Sequence, residues 1–196
     1  MRRPSATSVY YALEFLLSMP TWVVVALYLV RDLEFSPFEL VLMGTAMEAA
    51  VFLFEIPTGV VADTYGRKLS LVVGFAGMGA TWLLVGLAST AWVIFVLWAL
   101  WGLSYTFTSG AYQAWITDEV GVERVPQVFL RGARFSYAGA FLGLFLSVLI
   151  GTQSLRAAVI AGGAVSILCA VASVVLMPET GFRRRPREER KGAFTE

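Results

Sequence analysis

The sequence predicts an all-α membrane protein of six transmembrane helices, on three observations. Hydrophobic residues make up 58% of the 196 positions and charged ones only 15%, with mean hydropathy +0.72. That is more apolar surface than a small water-soluble core can bury. Apolar runs recur at the length of about 20 residues that a helix needs to cross roughly 30 Å of hydrocarbon. Finally, Lys and Arg gather in alternate connections, as topology determinants do.

The first run spans about 9–30 and stops at Arg31, Asp32 and Glu34. It is long, carries Glu14 and lacks a small-residue cleavage site, so it reads as a permanent helix, not a signal peptide. Ser36 and Pro37 supply the cap and first turn of the second, about 38–62. The charged turn Asp63–Lys68 leads into the third, about 69–87, and Ala88–Thr90 separates it from the fourth, about 91–116. A polar loop, Thr117–Gln127, precedes the fifth, about 128–150. Gly151–Ser154 then turns the chain into the sixth, about 155–177. Residues 1–181 form one expected domain and 182–196 a basic tail.

Thirteen of the 15 Lys and Arg fall on one side of this arrangement, leaving Arg31 and Arg156 on the other. Positive-inside puts both termini in the cytoplasm, which gives an expected location in the plasma (inner) membrane. The tail is accordingly a topology element beside anionic lipid. Net charge is only +1 and His is absent, so nucleic acid is not an expected partner and any proton chemistry falls to carboxylates. The single Cys169 lies in an apolar run and reads as a small buried hydrophobe. No cofactor or metal site is implied.

The strongest local signal is Pro57–Leu71, PTGVVADTYGRKLSL, which sets Gly59, Asp63, Gly66, Arg67 and Lys68 around a very short turn between helices two and three. It resembles the signature loop of the major facilitator superfamily, roughly G-x-x-x-D-x-x-G-R-[RK]. Phe54, Glu55 and Ile56 before it, Asp118 and Glu119 closing helix four, and Pro178, Glu179 and Thr180 closing helix six stand where that resemblance expects them. It covers nearly the whole chain as the first six of the family's usual twelve helices. It therefore implies a half-bundle with a 3+3 inverted repeat, whose partner is a second six-helix half or a homodimer mate. It also implies a gating role: Asp63 faces the start of a helix in the other half, and Arg67 pairs with Asp118. The implied activity is transport of a small solute by alternating access.

Glu14, Glu48 and Glu55 lie within helical runs, where an ionised side chain costs about 2.5–3.5 kcal/mol to insert. Glu48 falls nearest the midplane and is the first proton-site candidate, followed by Glu55 and Glu14. At 100° per residue Gly44, Glu48, Glu55, Gly59 and Ala62 share one face of helix two, a face that must meet protein. Thr106, Ser109 and Gln113 share a face of helix four. With Trp22 and Tyr105 they are the substrate-cavity candidates, helices one and four lining the cavity in the family; Trp115 either stacks on substrate or packs. Carboxyls and hydroxyls that merely bond helices together are the alternative at each of these positions.

Helix four lacks the Arg followed by spaced glycines of many proton-coupled members. Helix five has Gly132, Gly139 and Gly143 but no Gly-Pro element of drug/proton antiporters. The segments Phe54–Gly59 and Ala114–Asp118 nevertheless look like efflux-type members, so proton-coupled efflux is the expected activity. An intramembrane enzyme fails for want of a His and because Asp32, Asp63 and Asp118 all fall at helix ends. The other class kept open is a non-transporting membrane subunit or fragment with a binding or regulatory role.

Overall fold

A computed structural model describes residues 4–20 and 22–182, with the backbone alone for Trp22. The Trp22 side chain and the basic tail from Arg183 onward, both singled out above, lie outside the described residues. Among the described residues eight helices follow one another: α1 (Ala6–Leu17), α2 (Trp22–Arg31), α3 (Pro37–Tyr65), α4 (Arg67–Leu87), α5 (Ala91–Thr106), α6 (Ser109–Val120), α7 (Val125–Gly151) and α8 (Leu155–Leu176). Taken together, α5 and α6 make a span of 30 residues, and this and four other helices are long and apolar enough to cross a membrane. Two shorter apolar helices, α1 and α2, make the remaining crossing in series.

Two boundaries correct the sequence reading, because the first and fourth crossings, expected as continuous helices over about 9–30 and 91–116, are each broken. In the first, the Met19 amide closes on the Leu16 carbonyl at 3.1 Å. Pro20 then has no amide to carry the helix on, and its ring excludes the carbonyl four residues back. In the fourth, hydroxyls compete for the carbonyls of the last turn of α5: Thr106 donates to Leu103 at 2.7 Å and Thr108 to Tyr105 at 2.8 Å. The Thr108 amide also falls on Tyr105, and the ladder slips by one residue before Ser109 restarts it. Elsewhere the ends move by a few residues: α3 runs to Tyr65 and α4 begins at Arg67, so the expected charged loop shrinks to Gly66 alone.

The helices form two three-crossing repeats. In the second, α5–α6, α7 and α8 take the places that α1–α2, α3 and α4 hold in the first. Packing follows that correspondence. The third and sixth crossings, α4 and α8, make the largest contact, while α3 lies on α5 and α7 on α1. The outer helices α3 and α7 bury little within the chain and α4 buries most. Glycines on α7 set the α1 distance: a Cβ on Gly139 or Gly143 would meet the backbone of Phe15 or Met19, so only Gly allows these helices so close.

The core divides at the level of the breaks. One cluster, around Leu13, Phe75, Trp115, Ile116 and Cys169, fills the end that carries the α3–α4 turn. The other, around Tyr28, Trp82, Ile94, Trp98 and Val159, fills the opposite end. Between them neither cluster is complete, and a cavity opens.

Candidate functional site

The cavity between the two core clusters has a volume of about 340 Å³, enough for a small organic molecule. Both breaks reach it: Leu17 and Pro20 from the first, Thr108 and Ser109 from the fourth. Its remaining walls are largely aromatic, with Phe75, Trp82, Trp101, Tyr105 and Tyr112, and Trp101 stacks on Tyr105 with 5.6 Å between ring centroids. Gln113, Ser109, Thr108 and Ser166 supply the polar groups, and among the described residues no charged side chain lines it.

Three of the expected cavity residues, Tyr105, Ser109 and Gln113, line this space. Thr106 does not: it is buried, spends its hydroxyl on Leu103, and borders a separate cavity on the α3 side. Trp115 is away from the cavity, 1% exposed, and donates its indole N–H to the Pro178 carbonyl at 2.7 Å. Sequence reasoning passed over Phe75, Thr108, Tyr112 and Ser166. The signal for one of them, Thr108, was the run Thr106–Gly110, a hydroxyl-rich interruption within an otherwise apolar span.

Two further spaces flank the cavity, and each holds a carboxylate. On the α7 side, a space of about 440 Å³ shares Tyr112 and Gln113 with the cavity and contains Glu14, Tyr10 and Ser136. On the α3 side, a space of about 200 Å³ shares Ser109 and contains Glu55, Gly59, Asp63 and Arg67. Here the Ser109 hydroxyl donates to Glu55 Oε1 at 2.6 Å. Glu48 borders neither space and is exposed. The small and acidic face of α3, expected to meet protein, is largely uncovered by the other described residues: Glu48, Glu55 and Gly59 are exposed, and a Cβ on Gly44 or Gly59 would meet nothing within 4 Å. Only Ala62 of that face is buried.

The α3–α4 turn is organised by ions and by the segment that follows α8. Arg67 pairs with Asp63 one turn earlier, and its Nε lies 3.8 Å from Asp118 Oδ2 at the end of α6. That second separation is an ion pair without a hydrogen bond, and Arg67 Nε has no hydrogen-bond partner among the described residues. Gly66 adopts φ +122°, a left-handed backbone that favours glycine, and a Cβ there would come within 3.0 Å of the Glu179 carboxylate. Having no side chain, Gly66 cannot cap α4. Glu179 does so instead, accepting the Lys68 amide at 2.8 Å, while Lys68 Nζ donates to the Met177 carbonyl at 2.9 Å. A carboxylate at a helix N-terminus also suits the helix dipole.

Glu119 completes the strap. It accepts the Thr180 amide at 2.5 Å, the Thr180 hydroxyl at 2.8 Å and the Gly181 amide at 2.7 Å. The end of α6 is thus tied to the segment after α8, which is tied in turn to the start of α4. Glu119 and Glu179 stood in the sequence only as marks of resemblance; that each would serve a helix end far away in the chain was not readable there.

Among the described residues no group of His, Cys, Asp and Glu could hold a metal ion. Compared with known families, the chain matches the Major Facilitator Superfamily over residues 7–196. A relative in Bacillus subtilis (strain 168), called the uncharacterized MFS-type transporter YxaM, is 29% identical over 129 residues, which is 65% of this chain and 31% of that protein. The chain therefore matches about a third of its relative's length.

Proposed function

The chain belongs to the major facilitator superfamily, and on that premise we propose that it carries a small solute across a membrane by alternating access, as one six-helix half of a transporter. The observation that supports this most is the meeting of two broken helices at one aromatic cavity. Broken helices cost backbone hydrogen bonds in a membrane and are tolerated where they line a site between repeats. The uncharged lining suits an apolar solute bearing hydrogen-bonding groups.

The second half, whether the rest of a longer chain or a second copy, is proposed to cover the polar face of α3 that carries Glu48. The Asp63, Arg67 and Asp118 cluster is proposed as the gate at this end of the bundle, with Gly59, Gly66 and Lys68 shaping the turn. Its slack Arg67–Asp118 separation suits a contact that must open and close. We further propose efflux driven by protons, through one of Glu14, Glu48 and Glu55, with both termini cytoplasmic in the plasma membrane. A lipid bilayer and a small-molecule substrate are the remaining partners.

Two measurements test the reading. Light scattering of the protein in nanodiscs, lipid subtracted, gives its mass. A value near twice 21.4 kDa supports a self-complementing pair, whereas a monomer removes the claim that this chain transports alone. In liposomes with an imposed pH gradient, dye accumulation that collapses with a protonophore supports proton coupling. Accumulation indifferent to the gradient overturns it, and gradient-driven transport retained by Glu48→Gln excludes Glu48 as the proton site.

A further inference from the structure

Of the three carboxylates within the membrane, Glu55 is the one whose hydrogen bond reaches a helix break. It occupies the weakest stretch of α3. Pro57, two residues on, offers no amide to the Leu53 carbonyl, and the Thr58 hydroxyl draws on the Phe54 and Glu55 carbonyls at 2.7 and 3.2 Å. Opposite stands Ser109, the first residue of α6 after the break. The 2.6 Å bond between them therefore joins the soft point of one crossing to the break in another.

α6 is held at both ends by the α3–α4 region. Glu55 holds Ser109, and Arg67 approaches Asp118 nine residues later, about 13.5 Å along the helix. Apart from these ties α3 and α6 touch little. A bond from a hydroxyl to an ionised carboxylate is roughly twice as strong as a neutral one, so adding a proton to Glu55 weakens the grip at one end and leaves the other unchanged.

We infer that Glu55 is a protonation site whose charge state sets the hold of α3 on the start of α6, and so links the cavity wall at Ser109 to the gate at Asp118. This deepens the proton coupling proposed above and rests on that reading for its consequence. The proton arrives from water in the space Glu55 shares with Asp63 and Arg67 and adds to a carboxylate oxygen; Ser109 keeps its own hydrogen. The other titratable or charged groups facing this region are few. From α3 they are Asp63 and, two turns away, Glu48; from α4, Arg67, already engaged by Asp63 and Asp118; from α6, Asp118 at its far end; the α5 residue lining the space, Thr106, carries no titratable group.

The pseudo-equivalent tie in the first repeat supplies an internal control. Ser18, at the break between α1 and α2, bonds Ser136 of α7 at 2.6 Å, and neither group titrates.

Infrared difference spectra of the purified chain in nanodiscs, recorded as pH is lowered, test the inference. A carboxylic-acid C=O band is expected to grow, to be lost in Glu55→Gln, to persist in Glu48→Gln, and to shift in frequency in Ser109→Ala. A band unchanged in Glu55→Gln, or unmoved in Ser109→Ala, overturns it. Spin labels on Phe52→Cys and Gly110→Cys, both at exposed positions where a side chain has room, read the second part. The distance should lengthen on acidification and stay constant with Glu55→Gln added; a pH-independent distance overturns the link to α6. Neither experiment needs a substrate, so a chain that fails to transport but passes both leaves the Glu55 site standing and refutes only the transport reading.

Discussion

The two repeats share a backbone plan and differ in chemistry. Each has a broken first crossing, a long outer helix and a closely packed third. Yet the turn inside the first repeat is the charged Asp63–Lys68 stretch, and the equivalent turn in the second is Thr152–Ser154, closed by neutral groups, with Ser154 capping the Ala157 amide at 3.1 Å. The breaks differ in the same way. Ser18 is tied to a neutral Ser136 and Ser109 to the carboxylate of Glu55. Packing is under the same geometric demand in both repeats, whereas a line of charged groups from Glu55 past Asp63 and Arg67 to Asp118 has no counterpart at the Ser18–Ser136 tie and the Thr152–Ser154 turn. Asymmetry in an otherwise repeated plan is thus a guide to where the chemistry lies.

The largest test of the comparison concerns glycines on the two outer helices. Gly139→Leu or Gly143→Val sets a side chain against the backbone of α1 and should destabilise the protein by about 3 kcal/mol or more, read as an earlier unfolding midpoint in an SDS titration. On α3, Gly44→Ala and Gly59→Ala meet open space and should be neutral or stabilising by up to about 1 kcal/mol. Equal losses on α3 and α7 would mean that the α3 face is covered within the chain itself.

Next comes the strap. Glu119→Ala leaves the two amides and one hydroxyl it accepts without their acceptor, and about 1–2 kcal/mol is expected after allowing for their partial exposure. Gly66→Ala follows at about 1–2 kcal/mol, from the left-handed backbone and the nearby Glu179 carboxylate. Its counterpart in the second repeat, Ser154→Ala, removes only a cap, about 1 kcal/mol. Thermal melts of the two variants side by side would sharpen the contrast, and a larger loss at Ser154 would break it.

Among the variants at the charged end, the smallest loss of stability should come from Asp118→Asn. At 3.8 Å and partly exposed, its ion pair with Arg67 is worth less than about 1 kcal/mol. If the cluster is a gate, the same variant changes transport far more than it changes the melt. A variant that melts early and transports normally would make the cluster a structural brace.

Much of this architecture was legible in the sequence because it depends on local pattern. The apolar runs gave the crossings, Ser36 and Pro37 marked the start of α3, and the spacing in Pro57–Leu71 marked the charged turn. The breaks were present too, as Pro20 and the hydroxyl run Thr106–Ser109, but apolar length outweighed them: a run of sufficient hydrophobicity reads as one helix wherever its interruptions fall. For α3, the small and acidic face was expected to meet protein; among the described residues Ser109 of α6 bonds Glu55 and Ala62 is buried, while Glu48 and Gly59 stay exposed.

By itself, then, the sequence determined an all-helical membrane fold, the approximate limits of its crossings and the position of the charged turn, because helix formation and membrane burial are decided within a window of a few turns. Only the tertiary structure decided that the two breaks meet at one cavity, that Glu55 rather than Glu48 bonds a break, and that Glu179 caps α4. Those partners lie 54 residues apart for Glu55 and Ser109 and 111 apart for Lys68 and Glu179. Such pairings depend on how whole helices dock, and no local pattern of apolar and polar residues encodes which distant side chain arrives at a helix end.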